Sequence, residues 1–311
     1  MNGAMDEKYT NSSLDTSVPV IDEWITSSDG VKIYTRTWNA ISDKPIATVV
    51  FLHGFGEHIK RYNHVFDKFA RENIEVYAYD QRGFGETAIK NKNPGMTGGW
   101  KVATNDITEA LLSRRRDGIP QFLMGHSMGG GLTLNYATEG PERHKVAGYI
   151  CSSPWILLSS NAPQATKRDV LLSVVAPVLS MFLPNVVINT DVDAKYISRD
   201  PVEVDKYKED PLIHNIASLS SLVDMVSGGK LVINKEYTNV TFPVYIAHGS
   251  ADLITDPKAS KSFIEKIKSE DKTFIEWKDR YHEMHNDYGN TEIIQSYIQW
   301  ILKRSTLESN K

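Results

Sequence analysis

The sequence predicts an α/β fold: a mostly parallel central sheet flanked by helices, with a helical insertion. Three observations carry this expectation. From Val31 onward, short β-rich runs alternate with stretches of helical pattern. Runs such as Ile46–Leu52 are apolar nearly throughout, which suits strands covered on both faces. The rhythm stops at Trp155 and resumes near Lys235, as it would if a separate unit were inserted between two strands.

The elements follow in order. Val31–Trp38 and Ile46–Leu52 read as strands, His64–Glu72 as a helix, Ile74–Tyr79 as a strand and Val102–Arg116 as a helix. Then come strand Gln121–Met124, a helix from Met128 to about Thr138, and strand Val146–Ser152, which holds Cys151 in a buried place. The late alternation is strand Val244–Ala247, helix Lys258–Lys268, strand Thr273–Trp277 and helix Thr291–Lys303. The expected division is a disordered tail at 1–18, a core at 19–154 and 236–304, and an inserted helical cap at 155–235. The cap carries Pro163, Pro177, Pro184, Pro201 and Pro211 and no clear strand. Within it, Leu171, Leu172, Val174, Val175, Val178, Leu179, Phe182 and Leu183 share one helical face. That face either packs on the body or lines an apolar tunnel or touches lipid, and the readings are compatible. At 14 residues, Val170–Leu183 is short of the roughly 20 that a bilayer crossing needs.

Composition narrows the function. The chain has 311 residues, 41% hydrophobic and 24% charged, which fits a folded protein with a substantial core. Lys and Arg number 35 against 39 Asp and Glu, so the basic surplus of a nucleic-acid binder is missing. Cys151 is the single cysteine and cannot form an intrachain disulfide, so a reducing compartment is expected. The first twenty residues, with Asp6, Glu7 and Asp15, have no apolar stretch like that of a secretory signal.

The chemistry centres on Gly125-His126-Ser127-Met128-Gly129, a G-x-S-x-G pattern between an apolar strand and a small-residue helix. That context is a nucleophile elbow, a sharp turn that lifts a serine hydroxyl above a sheet. A serine needs a base, and on such a fold the order is Ser, then an acid, then His. Val244–Asp252 ends a strand in a turn with Asp252, and Asp256 is its rival. The loop Asp279–His285 offers His282 and His285; spacing does not choose, but His282 lies closer to the preceding strand. Backbone N–H groups of Met128, after the nucleophile, and of Phe55, in the loop His53-Gly54-Phe55-Gly56, are the expected oxyanion donors.

Other motifs fail on spacing. In His282-Glu283-Met284-His285 the histidines are three apart, not the four of a zinc protease helix. Gly83-Phe84-Gly85 and Gly129-Gly130-Gly131 lack the following G-K-[ST] of a phosphate loop. Arg114-Arg115-Arg116 reads as a solvated helix end.

With these residues in view, the chain resembles the monoacylglycerol lipase family of α/β-hydrolases, most of all its fungal members. The stretches that carry the resemblance are HGFGEH at 53–58 with Arg61-Tyr62, YDQRGFG at 79–85, GHSMGG at 125–130, SRDP at 198–201 with DPLIH at 210–214, HGSAD at 248–252 and YHEMH at 281–285. They run from about residue 20 to 303 in family order. The resemblance implies the α/β-hydrolase fold, Ser127 as nucleophile, Asp252 as acid and His282 as base. It also implies a glycerol head-group pocket at Glu57, Arg61, Tyr207 and His285. The expected reaction is hydrolysis of monoacylglycerols through an acyl-enzyme, with no metal or organic cofactor and no nucleic acid. A lysophospholipase, a general carboxylesterase and a non-catalytic lipid-binding protein on the same fold are the rival readings. A cytoplasmic location is expected, peripheral on lipid droplets or membranes through the cap. The sequence leaves the oligomeric state open.

Overall fold

The computed structural model describes residues 18–308 apart from 164, 191 and 235. Strand β1 (Val20–Thr26) pairs antiparallel with β2 (Lys32–Trp38). Next come β3 (Ala47–Leu52), α1 (Asn63–Arg71), β4 (Ile74–Tyr79), α2 (Gly85–Asn91) and α3 (Trp100–Arg114). Strand β5 (Gln121–His126) runs into α4 (Met128–Glu139), followed by β6 (Gly148–Ser152). An excursion off the sheet holds α5 (Ala165–Val170), a π-helical turn (Leu171–Val175), α6 (Ala176–Ser180), β7 (Val187–Asn189), α7 (Pro201–Glu209), β8 (Ile216–Ser218) and α8 (Leu219–Asn234). The chain returns as β9 (Val244–Gly249), α9 (Pro257–Lys266), β10 (Lys272–Trp277) and α10 (Asn290–Glu308).

One sheet organises the body, in the order β1-β2-β4-β3-β5-β6-β9-β10, and every pairing from β4 to β10 is parallel. Strands β3, β4, β5, β6 and β9 are buried at every residue because helices cover both faces. Side chains of a strand alternate between those faces. Thus Val50 and Leu52 join one core with Leu111, Leu132 and Phe263, while Val49 and Phe51 join the other with Phe66, Ile298 and Trp300.

Each expected strand is present with its ends within two residues. Strand β1 was not anticipated. It is an edge strand, exposed along nearly its whole length, and Asp22 and Glu23 break its apolar pattern. Of the expected tail, residues 1–17 lie outside the described residues, while Val18 is buried in the core beside Tyr34 and Trp38. The arginine run does not stand free in solvent: Arg114 pairs with Glu23, Arg115 with Glu142 and Arg116 with Glu75.

The region between β6 and β9 corrects one further expectation. It does contain strands, since β7 and β8 form a short antiparallel ribbon. Three residues each is too short for a period-two signal. Of the apolar face expected on its first helix, a small part turns inward and most turns outward, which is among the placements left open above. Leu172 packs with Ala217 and Leu222, and Ala176 is buried, but Val174, Val178 and Phe182 are 60%, 56% and 76% exposed. A helix of this length has room for only a narrow buried line against α8, and the π-helical turn shifts the register of the stripe.

Hydrogen bonds tie this region to loops of the body. Leu157 O accepts from Asp256 N at 2.9 Å, Gly56 O from His214 N at 3.0 Å, and Gly95 O from Ser218 N at 2.8 Å. His58 Nε2 meets Asp210 Oδ2 at 2.8 Å, and His214 Nε2 donates to Gly83 O at 3.0 Å while its ring stacks on Phe84.

Candidate active site

Ser127 is the one residue between β5 and α4, and it holds φ 53° and ψ −116°. A non-glycine residue avoids such a conformation unless its surroundings enforce it. Here they do. Ser127 N–H donates to Ser152 O at 2.9 Å, and Ser127 O accepts from Gly131 N at 2.9 Å and Trp155 N at 2.8 Å. A Cβ at Gly125 would overlap the Gly129 carbonyl, and one at Gly129 would overlap that of Leu52. The glycines of the pentapeptide therefore have a steric cause.

The loops after β9 and β10 bring two side chains to this serine, all at the carboxyl ends of parallel strands. His282 Nε2 is 2.8 Å from Ser127 Oγ, and His282 Nδ1 is 2.7 Å from Asp252 Oδ2. Asp252 Oδ1 accepts from the N–H groups of Ile254 at 2.7 Å and Thr255 at 3.0 Å. Burial alone would raise the Asp252 carboxyl, but the charge of His282 and hydrogen bonds from His248 and His282 hold it well below the usual carboxylate range. Burial likewise works against a charged His282, and Asp252 overcomes it and raises the imidazole above its ordinary value. Asp256 is outside this group: it caps α9, accepting from Lys258 N at 2.9 Å. His285 is outside it as well, stacked on Tyr62 with ring centres 4.8 Å apart.

The loop after β3 is clamped on both sides of Gly54. Gly54 N–H donates to Glu57 Oε1 at 2.6 Å, and Gly54 O accepts from His53 Nδ1 at 2.7 Å. The tautomer of His53 follows from its other nitrogen, which accepts from Gln81 N at 2.8 Å. The carbonyl held by His53 belongs to the same planar peptide as the Phe55 N–H, so fixing one fixes the other. Met128 opens α4, where the first amides have no partner inside the helix.

Glu57, Arg61 and Glu283 form a buried ionic set beside the serine. Arg61 reaches Glu57 Oε2 at 2.5 Å and grips Glu283 with two bonds of 2.8 and 2.7 Å. Burial would raise Glu283, and Arg61 instead pulls it far below the carboxylate range. Glu283 thus belongs to an ion pair rather than to a metal motif. Among the described residues, no cluster of three or more His, Cys, Asp or Glu side chains could hold a metal ion. Tyr62 OH donates to Glu57 Oε1 at 2.5 Å, and the Arg61 guanidinium lies 5.0 Å from the centre of the Tyr207 ring. His126, beside His282 at 4.8 Å, is driven down to about 3 by burial and stays neutral.

These groups meet a cavity of about 770 Å³. Ser127, His282, Phe55, Glu57 and Tyr207 line it; Arg61 and His285 do not. Its apolar wall includes Leu158, Leu171, Leu172, Ile188, Leu222 and Ile254, so body and insertion both contribute. Sequence reasoning missed His53, Glu283, His248 and Thr255. Their roles come from contacts across long stretches of chain, although all but Thr255 stand inside the segments that carried the family resemblance.

The arrangement can bring a deprotonated hydroxyl to an electrophilic carbon and cover one side with backbone donors. Comparison with known proteins agrees with it. A family model described as serine aminopeptidase, S33, matches residues 43–289. A putative monoglyceride lipase of Schizosaccharomyces pombe is 36% identical, covering 88% of this chain and 72% of that protein. The monoglyceride lipase of Saccharomyces cerevisiae is 33% identical, covering 84% of this chain and 86% of that one. A crystal structure of a soluble variant of the Saccharomyces cerevisiae monoglyceride lipase, in complex with a substrate analogue, superimposes with a TM-score of 0.82 at 28% identity, covering 94% of this chain and 98% of that one. Likeness of this extent, in sequence and in fold, makes the chain a member of the monoglyceride lipase family of α/β-hydrolases.

Proposed function

We propose that this chain hydrolyses monoacylglycerols to a fatty acid and glycerol, with Ser127 as nucleophile, His282 as general base and acid, and Asp252 as the group that orients it. The observation that carries this reading is the unbroken series Ser127 Oγ, His282, Asp252 at the wall of a large, partly apolar cavity. A volume of about 770 Å³ lies in the upper part of the range of about 300–1,000 Å³ usual for small-molecule sites. Each methylene of an acyl chain buried there contributes about 0.8 kcal/mol, so a long chain is held firmly.

The steps follow from the contacts. His282 Nε2 takes the Ser127 proton as Oγ attacks the ester carbonyl. The resulting oxyanion takes hydrogen bonds from the Phe55 and Met128 N–H groups. As the intermediate collapses, His282 returns its proton to the departing glycerol oxygen and the acyl group stays on Ser127. A water then repeats the sequence, giving its proton to His282 and freeing the acid. Glu57 and Tyr207 offer polar contacts for the glycerol hydroxyls. Arg61, paired with two carboxylates, holds Glu57 in place, and His285 stacks on Tyr62 behind it.

Residues 155–235 serve in this reading as a cap, and its exposed apolar residues rest on a membrane or lipid-droplet surface from which substrate enters. Among the described residues no helix is long and apolar enough to cross a membrane, so the contact is peripheral. A cytoplasmic setting goes with it.

The test is a substrate panel. The purified protein should cut monoolein faster than lysophosphatidylcholine or short nitrophenyl esters, and Ser127→Ala should lose the activity while keeping its fold. Preference for the lysophospholipid, or residual turnover in Ser127→Ala, would overturn the assignment.

A further inference from the structure

Behind Asp252 lies a second imidazole that the reaction as described leaves unused. His248 is on β9 and wholly buried. Its Nε2 is 3.1 Å from Asp252 Oδ2, the same oxygen that accepts from His282 Nδ1 at 2.7 Å. A carboxylate has no proton to give, so His248 carries its own on Nε2 and donates it there. Its Nδ1 is then an acceptor, and the hydroxyl of Ser260 on α9, 2.8 Å away, is the donor. Thr255 Oγ1 completes the corner, 2.9 Å from Asp252 Oδ2 and 3.2 Å from His248 Nε2. A continuous chain therefore runs from Ser260 through His248, Asp252 and His282 to Ser127.

We propose that His248 is a positioning residue: by sharing Asp252 Oδ2 with His282, it fixes the carboxylate and sets the pH at which His282 becomes free to act as a base. This rests on the assignment of Ser127 and His282 made above. His248 does not line the cavity, so it acts through Asp252 alone. Every hydrogen bond donated to a carboxylate spreads its charge and weakens its hold on a third group. With His248 in place, Asp252 draws less strongly on the His282 proton, and the base is released at lower pH. The other ionisable groups facing His282 are His126, at 4.8 Å between rings, and Glu57 and Glu283, which act through their charge. Arg61 holds both carboxylates, and Glu276 stands in register beside His248 on β10.

Three variants of the full chain test this, with kcat, KM and the pH profile of kcat/KM as readouts. His248→Phe removes both hydrogen bonds. His248→Asn carries its amide near the place of Nδ1 and reaches only Ser260. His248→Gln carries it near Nε2 and reaches Asp252. In the Phe and Asn variants kcat should fall roughly tenfold, the worth of one hydrogen bond to a charged group, at unchanged KM. Their acid limb should rise by about half a pH unit. His248→Gln should restore both. If His248→Phe does not fold, the Asn and Gln pair carries the comparison. An active wild type whose Asn and Gln variants share one acid limb overturns this inference alone. A wild type that cuts no monoacylglycerol overturns the assignment beneath it as well.

Discussion

The sheet and the insertion are both rich in aliphatic residues, and they use them in opposite ways. In β3 every side chain is buried, with alternate residues reaching separate cores. Between Val170 and Leu183 only Leu172 and Ala176 are buried among the large and small apolar residues described, and Met181 and Phe182 are nearly bare. The body's apolarity is explained by its own stability. That of the insertion is not, and its uncovered apolar surface is the feature on which the proposed contact with a lipid surface rests. The proposed chemistry is divided in the same way: Ser127, His282 and Asp252 all come from loops of the body, while the insertion supplies walls.

The comparison can be broken at several places. The largest effect should come from the body's acid: Asp252→Asn should lower kcat about 10⁴-fold through loss of the oriented tautomer. Asp256→Asn, which still caps α9, should stay near wild type, and the reverse pattern in steady-state kinetics would relocate the acid. Next come the packing residues. Phe122→Ala, near the start of β5 against Trp300, should cost about 3–5 kcal/mol in urea unfolding. Phe182→Ser should stay within about 0.5 kcal/mol in the same assay yet adsorb less to phospholipid vesicles in co-sedimentation. Equal unfolding costs would show that Phe182 is packed in solution. The smallest effect should be on the pH profile. In the proposed reaction His282 must be unprotonated to act, and Asp252 raises its pKa above that of an ordinary imidazole, so activity should be lost as pH falls through a limb shifted upward accordingly. Phe182→Ser should leave that limb where it is.

The same division governs what the sequence disclosed. Buried strands announce themselves because burial on both faces forces continuous apolar runs, and the order Ser127, Asp252, His282 is legible because the fold fixes where each loop can sit. Edge strand β1 and the ribbon of β7 and β8 carry no such pressure and went unread. Asp252 against Asp256, and His282 against His285, are separated by three or four residues, and only geometry tells which faces the serine. The pairing of Arg61 with Glu283 joins residues 222 apart in the chain, with no local pattern to announce it. The outward turn of the apolar stripe was equally hidden, since a helical face looks the same in sequence whether a protein core or a lipid covers it.

The bonds between the stretch 210–218 and the body bear on how such enzymes can be recombined. Asp210 holds His58, His214 holds the Gly56 carbonyl and leans on Phe84, and Phe84 in turn touches Phe55. A chimera that exchanged the whole insertion for a foreign one would remove these anchors along with the walls of the cavity. It would then carry an intact serine, histidine and aspartate beside a loop after β3 held by its body contacts alone. Grafts that retain 210–218 and replace only the outward helix are the ones whose chemistry should survive transplantation.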